Sequence, residues 1–370
     1  MPLRHERLAD TDSTKLRADV IAALRRGELC ALPTETVYGL AALPSHPDVQ
    51  AKLEALAELA PDGPQQQRIL HLADQSDLDD LDVTIPLPAK RLMERYWPGP
   101  LTLRLPRDSK AGPPLLVRLP AHEFTRSIVR EIGDPLWLES VPTPPAKGST
   151  SDGGGPQPLA DPDAVAASCA EHASILVDDG QSPLGNASTI VDAASGGELL
   201  MLREGILSRA EVLHTAADLI VFVCTGNTCR SPLAEALARE ATAAAMGVDS
   251  DRVLARGLAF QSAGTATVAG MPVSDGSRDA GAEIGLDMSA HESQPMHAEL
   301  WQRALHIYCL SNSHREALLA EAPEAARKIQ LLRPDGLDIA DPYGGDLDIY
   351  RRARDEIRNA VNKRMGDWWP

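Results

Sequence analysis

Residues Leu219–Leu237 read LIVFVCTGNTCRSPLAEAL, and the fold of the second half of the chain follows from them. LIVFVC is an unbroken apolar, β-rich run, the pattern of a parallel strand covered on both faces. It ends at Cys224, a short polar turn follows, and Arg230 stands just before a helix whose first turn carries Pro232. Beyond it, strand-like RVLARGLAFQSAG, LHIYCLS and KIQLL alternate with helix-like SDGSRDAGAEIG, SHREALLAEAP and DLDIYRRARDEIRNAVNKRM. Such alternation predicts a doubly wound α/β domain on a parallel sheet. Upstream, SRAEVLHTAAD closes a different pattern, so two domains are expected, 1–214 and 215–370.

The turn carries chemistry. A tight strand-to-helix loop points backbone N–H groups inward, and the helix N-terminus adds partial positive charge. Arg230 brings a fork of donors that fits two oxygens of a phosphoryl group. Gly226 allows close approach of the backbone to an anion. The same field stabilises a thiolate at Cys224, which makes it a nucleophile, with Ser231 placed to donate to the sulfur. Thr225, Asn227, Thr228 and Cys229 complete the loop. Taken singly these residues prove little, since Cys224 could be a packed strand-end cysteine. Their combination in this context is specific.

The stretch resembles the low-molecular-weight phosphotyrosine phosphatases, whose signature is C-x-x-x-x-x-R-S. The likeness runs over about residues 219–370. Asp341-Pro342-Tyr343-Gly344-Gly345 matches the family's second motif, and Ser262-Ala263-Gly264 and His291 fit intermediate landmarks. The resemblance implies that Cys224 is the nucleophile, Arg230 the phosphate ligand and Asp341 the general acid, with Tyr343 at the substrate. It implies a reaction without metal or cofactor on phosphorylated protein side chains. Tyrosine-selective members carry a branched aliphatic residue two positions before the motif arginine. Thr228 stands there, as in the similar bacterial protein-arginine phosphatases, so phosphoarginine is expected over phosphotyrosine. In relatives a neighbouring cysteine can form a reversible disulfide with the nucleophile, which is one reading of Cys229; the alternative is simple packing.

The first half gives a second resemblance. PTETVYGL (Pro33–Leu40), Tyr96–Thr102, Val117–Pro120, Ser188–Asp192 and Leu202–Gly205 appear in order. Together they resemble the YrdC-like threonylcarbamoyl-AMP synthase family, which implies a twisted α/β domain. Thr34, Thr36, Tyr38, Arg118, Ser188 and Arg203 are the matching residues for a pocket holding ATP and threonine. Two family motifs are missing. Pro61-Asp62-Gly63 replaces the K-x-R segment that grips phosphates, and Pro142 replaces the Asn of S-x-N after Ser140. Losing two cations removes charge complementarity to a triphosphate. An inactive or repurposed nucleotide domain is therefore expected. The competing readings are a bifunctional enzyme and a non-catalytic scaffold. Members of this fold have also been linked to double-stranded RNA.

Composition narrows the field. The chain has 370 residues, with 36 Lys and Arg against 53 Asp and Glu, a net charge of -17. Residues 1–214 hold 20 basic and 31 acidic side chains, net -11; residues 215–370 hold 16 and 22, net -6. That balance argues against RNA as the main ligand, because phosphate neutralisation needs clustered cations. The five cysteines are sparse and odd in number, unlike a disulfide framework. Cys224 and Cys229 with His291 and His297 do not form a convincing zinc spacing. There is no signal-like N-terminus and no membrane-length apolar run, so a cytoplasmic protein is expected.

Overall fold

The computed structural model of the protein describes residues 2–57, 68–109, 112–141, 159–194 and 198–369. Pro61-Asp62-Gly63 and Pro142 lie outside them, as does most of the Pro/Gly-rich stretch from Val141 to Asp163. The chain divides into two compact units, Met1–Ala216 and Ala217–Pro370.

Among the described residues, the first unit builds one mixed sheet. Its strands are β1 (Arg4–Arg7), β2 (Leu29–Leu32), β3 (Gly39–Ala42), β4 (Ile69–His71), β5 (Leu101–Leu105), β6 (Leu115–Arg118), β7 (Leu136–Ser140), β8 (Ala173–Asp178), β9 (Thr189–Asp192) and β10 (Leu200–Arg203). They lie in the order β1-β8-β2-β3-β7-β4-β6-β5-β9-β10. The helices are α1 (Ser13–Arg25), α2 (Val49–Ala57), α3 (Leu87–Tyr96), α4 (Glu123–Ile132), α5 (Pro162–Cys169) and α6 (Arg209–Ala216). α1 starts where the Asp12 carboxylate accepts the Thr14 and Lys15 N–H groups. Its apolar stripe, Leu16, Val20 and Leu24, packs with Leu32, Ile128 and Ile175. The last residues of the Pro/Gly-rich stretch open α5, because Asp161 caps the Ala164 N–H and Pro162 suits the first helical position.

Pairing of β6 with β4 and β5 sets Arg118 opposite His71 on one side and Thr102 on the other. β5 then pairs with β9, and β9 with β10. Motifs remote in sequence therefore meet on neighbouring strands.

The second unit is a parallel sheet of β11 (Asp218–Cys224), β12 (Leu258–Gly264), β13 (Ala304–Cys309) and β14 (Ile329–Leu331), in the order β12-β11-β13-β14. Helices α7 (Arg230–Met246), α8 (Asp275–Ala282), α9 (Ala298–Arg303), α10 (Asn312–Glu321) and α11 (Leu347–Arg364) accompany it. β11 is buried on both faces, as its sequence demands. Ile220, Phe222 and Cys224 join a core with Leu233 and Leu237 of α7 and Ile357 and Val361 of α11. Leu219, Val221 and Val223 join another with Leu300 of α9 and Leu318 of α10. The fold is the doubly wound α/β type. Since β12 and β13 flank β11 on opposite sides, the crevice that such sheets use for ligands opens at the carboxyl end of β11. Cys224 occupies that end.

His71 is fully enclosed on β4; burial, followed by the charge of Arg118, pushes its imidazole down to about 3 from an ordinary 6.5. The unfolded chain therefore takes this proton first as pH falls, and stability must drop from about pH 6.5 downward. The urea midpoint of the protein should decline between about pH 7 and pH 5, and His71→Leu should flatten the decline. An equal slope in the variant would assign the effect elsewhere.

Candidate active site

The loop from Cys224 to Cys229 is held from outside, carbonyl by carbonyl. Cys224 O accepts Thr265 N at 2.9 Å and Thr225 O accepts Ala266 N at 3.0 Å. Gly226 O accepts the Thr267 hydroxyl at 2.8 Å. Asn227 O accepts His291 Nε2 at 2.7 Å, and Thr228 O accepts Ser274 N at 2.8 Å. In a planar trans peptide the N–H points opposite to the carbonyl. With five successive carbonyls turned outward, the N–H groups of residues 225–229 face the concave side of the loop. That is an anion-binding nest at the N-terminus of a long helix.

The turn needs one left-handed residue. It is Asn227, at φ 53°, rather than Gly226. Asn227 is fully buried, and its side chain secures the conformation: Nδ2 donates to Ser231 Oγ at 2.9 Å, and Oδ1 accepts Gln294 N at 2.8 Å. A Cβ on Gly226 would meet only Thr228 Oγ1, at 3.5 Å. The glycine that the loop requires is Gly264 at the end of β12, where a Cβ would lie 2.6 Å from Thr225 O and 2.7 Å from Thr267 Cγ2.

Cys224 is 3% exposed, and its Sγ lies 3.0 Å from Ser231 Oγ. Arg230 is also buried. Its Nη1 donates to Ile339 O at 3.0 Å and its Nη2 to Asp341 Oδ2 at 2.7 Å. Its Nε is buried without a protein partner, a donor that costs roughly 1–3 kcal/mol to leave unanswered. Asp341 is half-exposed and its Oδ1 accepts Tyr343 N at 3.2 Å. Tyr343 is 79% exposed. Cys229 faces away from this cup: its Sγ donates to Ser274 Oγ at 3.2 Å and lies 4.0 Å from the Tyr350 hydroxyl, in a small cluster with Ala280. All five cysteines are free. Burial pushes the Cys30 and Cys309 thiols up to about 12 and Cys169 up to about 11, which leaves them inert.

Several contributors escaped the sequence reading: His314, which bonds Thr225 Oγ1 at 2.9 Å, Ser311 behind it, and Thr267, Ser274 and Tyr350. One signal was available. Ser311 and His314 follow the carboxyl end of β13, where α/β sheets place ligand-facing groups.

In the first unit, Thr34, Thr36 and Arg118 come together. Thr34 Oγ1 lies 2.9 Å from Thr36 Oγ1 and receives the Thr36 and Val37 N–H groups. Arg118 Nη2 donates to Thr36 Oγ1 at 2.9 Å and to Glu35 Oε1 at 2.5 Å, while Nε donates to Gly99 O at 3.2 Å. Ser188 Oγ lies 2.9 Å from Thr102 Oγ1 and accepts Arg203 Nη2 at 3.0 Å. Burial, then the charge of Arg118, lowers the Arg203 guanidinium below its usual value, so the two cations share one neighbourhood. Such a pair suits a carboxylate or phosphate. Tyr38 stands apart: its hydroxyl donates to Gly180 O at 2.7 Å and accepts Asp179 N, a latch between chain segments. Among the described residues, no group of three His, Cys, Asp or Glu side chains is disposed to hold a metal ion, and no helix is long and apolar enough to cross a membrane.

A parallel doubly wound sheet, a nest at its switch point and a cysteine and an arginine in that loop give the second unit the architecture of a protein phosphatase domain. Comparison with known proteins agrees. Residues 219–367 match the low molecular weight phosphotyrosine protein phosphatase model, and residues 22–205 match the Sua5/YciO/YrdC model, described as telomere recombination. The protein-arginine-phosphatase of Geobacillus stearothermophilus is 34% identical over 149 residues, 39% of this chain and 91% of that one. Threonylcarbamoyl-AMP synthase of Chromohalobacter salexigens is 34% identical over 131 residues, 34% of this chain and 69% of that one. The Bacillus subtilis threonylcarbamoyl-AMP synthase is 34% identical over 203 residues, 53% of this chain, which spans only 55% of that relative. The chain belongs to both families, as a fusion of a YrdC-like domain with a low-molecular-weight phosphatase domain.

Gly264→Ala should drive a methyl group into Thr225 O and displace the loop at a cost of roughly 1–3 kcal/mol. Alkylation of Cys224 by iodoacetate should slow in the variant; an unchanged rate would show that the loop tolerates the methyl.

Proposed function

We propose that the second unit hydrolyses phosphorylated protein side chains through a cysteinyl-phosphate, with phosphoarginine preferred to phosphotyrosine. The supporting observation is the set of five outward carbonyls, which turns the loop amides toward the concave side of the loop that begins at Cys224. The Cys224 thiolate attacks phosphorus and forms the S–P bond as the P–N or P–O bond breaks. Asp341 gives its proton to the departing nitrogen or oxygen. Water then attacks the cysteinyl-phosphate, passes a proton to the Asp341 carboxylate, and the S–P bond breaks to release phosphate and restore the thiolate. Arg230 supplies its unanswered Nε donor and the loop its amides to the equatorial oxygens, and Ser231 donates to the sulfur. Nothing in this scheme calls for a metal or cofactor.

Thr228 supports the phosphoarginine preference. Among the described residues its hydroxyl has no closer partner than Cys229 Sγ at 3.7 Å, so the fold makes little use of it. A hydroxyl there can orient water or a guanidinium, which an aliphatic side chain cannot. The name of the Geobacillus relative points the same way. Turnover of phosphoarginine and phosphotyrosine peptides, assayed in parallel, should vanish in Cys224→Ser, and Thr228→Ile should shift preference toward phosphotyrosine. An unchanged preference would remove the role given to Thr228.

For the first unit we propose an anion-binding nucleotide fold that no longer completes adenylate synthesis. Support comes from Pro61-Asp62-Gly63 in place of the cationic K-x-R segment, and from Arg118, whose donors already serve Glu35, Thr36 and Gly99. Incubation with ATP, threonine and bicarbonate should release no pyrophosphate above background. Threonine-dependent release would instead establish a bifunctional enzyme.

A further inference from the structure

Ser311 occupies the N-cap position of α10, yet its hydroxyl caps no backbone N–H. A serine there ordinarily stabilises its helix by about 1 kcal/mol. Here Ser311 Oγ meets His314 Nδ1 at 2.8 Å and Ser313 Oγ at 2.8 Å. The other ring nitrogen, Nε2, meets Thr225 Oγ1 at 2.9 Å. Ser311 and His314 are buried, whereas Thr225 is exposed at the rim of the loop, immediately after Cys224. A helix thus forgoes its cap, and a buried imidazole is aimed at an exposed hydroxyl.

The loop does not need this bond to hold its shape. Its five carbonyls are secured by Thr265, Ala266, Thr267, His291 and Ser274. What the imidazole adds is a fixed Thr225 side chain, which would otherwise exchange among staggered rotamers on the surface. Burial, and then the charge of Arg230, hold His314 down at about 4, while Asp341 and Asp338 act in the opposite sense. The ring is therefore neutral at neutral pH, with one nitrogen donating and the other accepting. Arg230, Asp341 and Asp338 are the charged groups that act on the ring. A threonine hydroxyl has one proton and two lone pairs; the imidazole engages one of these and leaves the rest for a substrate.

We propose that His314 is a positioning residue of the phosphatase site: through the Ser311–His314–Thr225 chain it fixes the Thr225 hydroxyl at the rim of the loop, next to Cys224, where it orients the leaving nitrogen or oxygen for protonation. This rests on the phosphatase reading given above. No covalent step is added to the scheme. The hydroxyl acts by alignment, and misalignment of a reacting group by about 1 Å can cost roughly 100-fold in rate.

Steady-state hydrolysis of a phosphoarginine peptide and of p-nitrophenyl phosphate by His314→Phe, His314→Gln, Thr225→Val and the His314→Phe/Thr225→Val double variant tests this. His314→Phe should lower kcat roughly 10- to 100-fold while KM moves by less than about threefold. Gln, whose amide keeps a hydrogen-bonding group near the hydroxyl, should recover most of the loss. Thr225→Val should match His314→Phe, and the double variant should be no slower than the slower single one, because both remove the same contact. Unchanged kcat in His314→Phe overturns the proposal. So do additive losses in the double variant, or a loss that Gln fails to recover and that follows a fall in melting temperature. If Cys224→Ser retains wild-type turnover, the phosphatase reading fails and this inference with it. An inert Cys224→Ser beside an unimpaired His314→Phe removes only the role of His314.

Discussion

Five consecutive peptide carbonyls, from Cys224 to Thr228, each have a partner outside the loop, and the remainder of the second unit is arranged to supply those partners. The segment after β12 gives three donors, the residues ahead of α8 give Ser274, and His291 gives the fifth. An isolated loop could not hold its amides on one side, because each carbonyl would turn toward water. The sheet makes the arrangement affordable. β12 ends in Gly264 directly under Thr225, so strand and loop can approach to a distance that no side chain permits. Arg230 stands in the first turn of α7, with Nη1 and Nη2 committed to protein oxygens and Nε buried without a partner among the described residues. The turned amides, the guanidinium and the thiol thus come from one strand-loop-helix passage.

The first unit solves a related problem differently. Its cations come from separate strands, Arg118 on β6 and Arg203 on β10, and each is tethered by short hydrogen bonds to hydroxyls and carbonyls. Two guanidiniums in one buried neighbourhood repel, and Arg203 is lowered by burial first and by the charge of Arg118 second. Glu35 relieves part of it by pairing with Arg118. The result is a pair of neighbouring guanidiniums within a domain whose net charge is -11, a reminder that bulk charge and local charge are separate quantities.

The sequence was most informative where chemistry and local structure coincide. LIVFVC announced a doubly covered strand because an unbroken apolar run cannot face water on either side, and the loop residues followed it in fixed order. The motifs of the first unit were legible for the same reason. Other contributors could not be read, because their meaning depends on long-range placement. His314 stands 89 residues from Thr225 and Thr267 41 residues from Gly226, and neither pairing leaves a trace in local pattern. Gly226 looked like the residue that turns the loop, since glycine is the usual left-handed residue. Asn227 takes that part because its amide side chain is satisfied by Ser231 and Gln294, a condition visible only in three dimensions. Tyr38, placed in a pocket by its motif, turned out to bind chain segments together.

β11 has no free face, and this has a consequence for how errors are tolerated. Ile220, Phe222 and Cys224 enter one core while Leu219, Val221 and Val223 enter the other. A slip of one residue in register would exchange the two sets and turn the terminal cysteine to the opposite side of the sheet. Both cores would be mispacked in the same event, with Phe222 withdrawn from its contacts with Tyr308 and Trp368. A chain that is well packed but carries its nucleophile on the wrong side is therefore excluded. The strand acts as its own proofreader, since the aim of the thiol and the integrity of the unit stand or fall together.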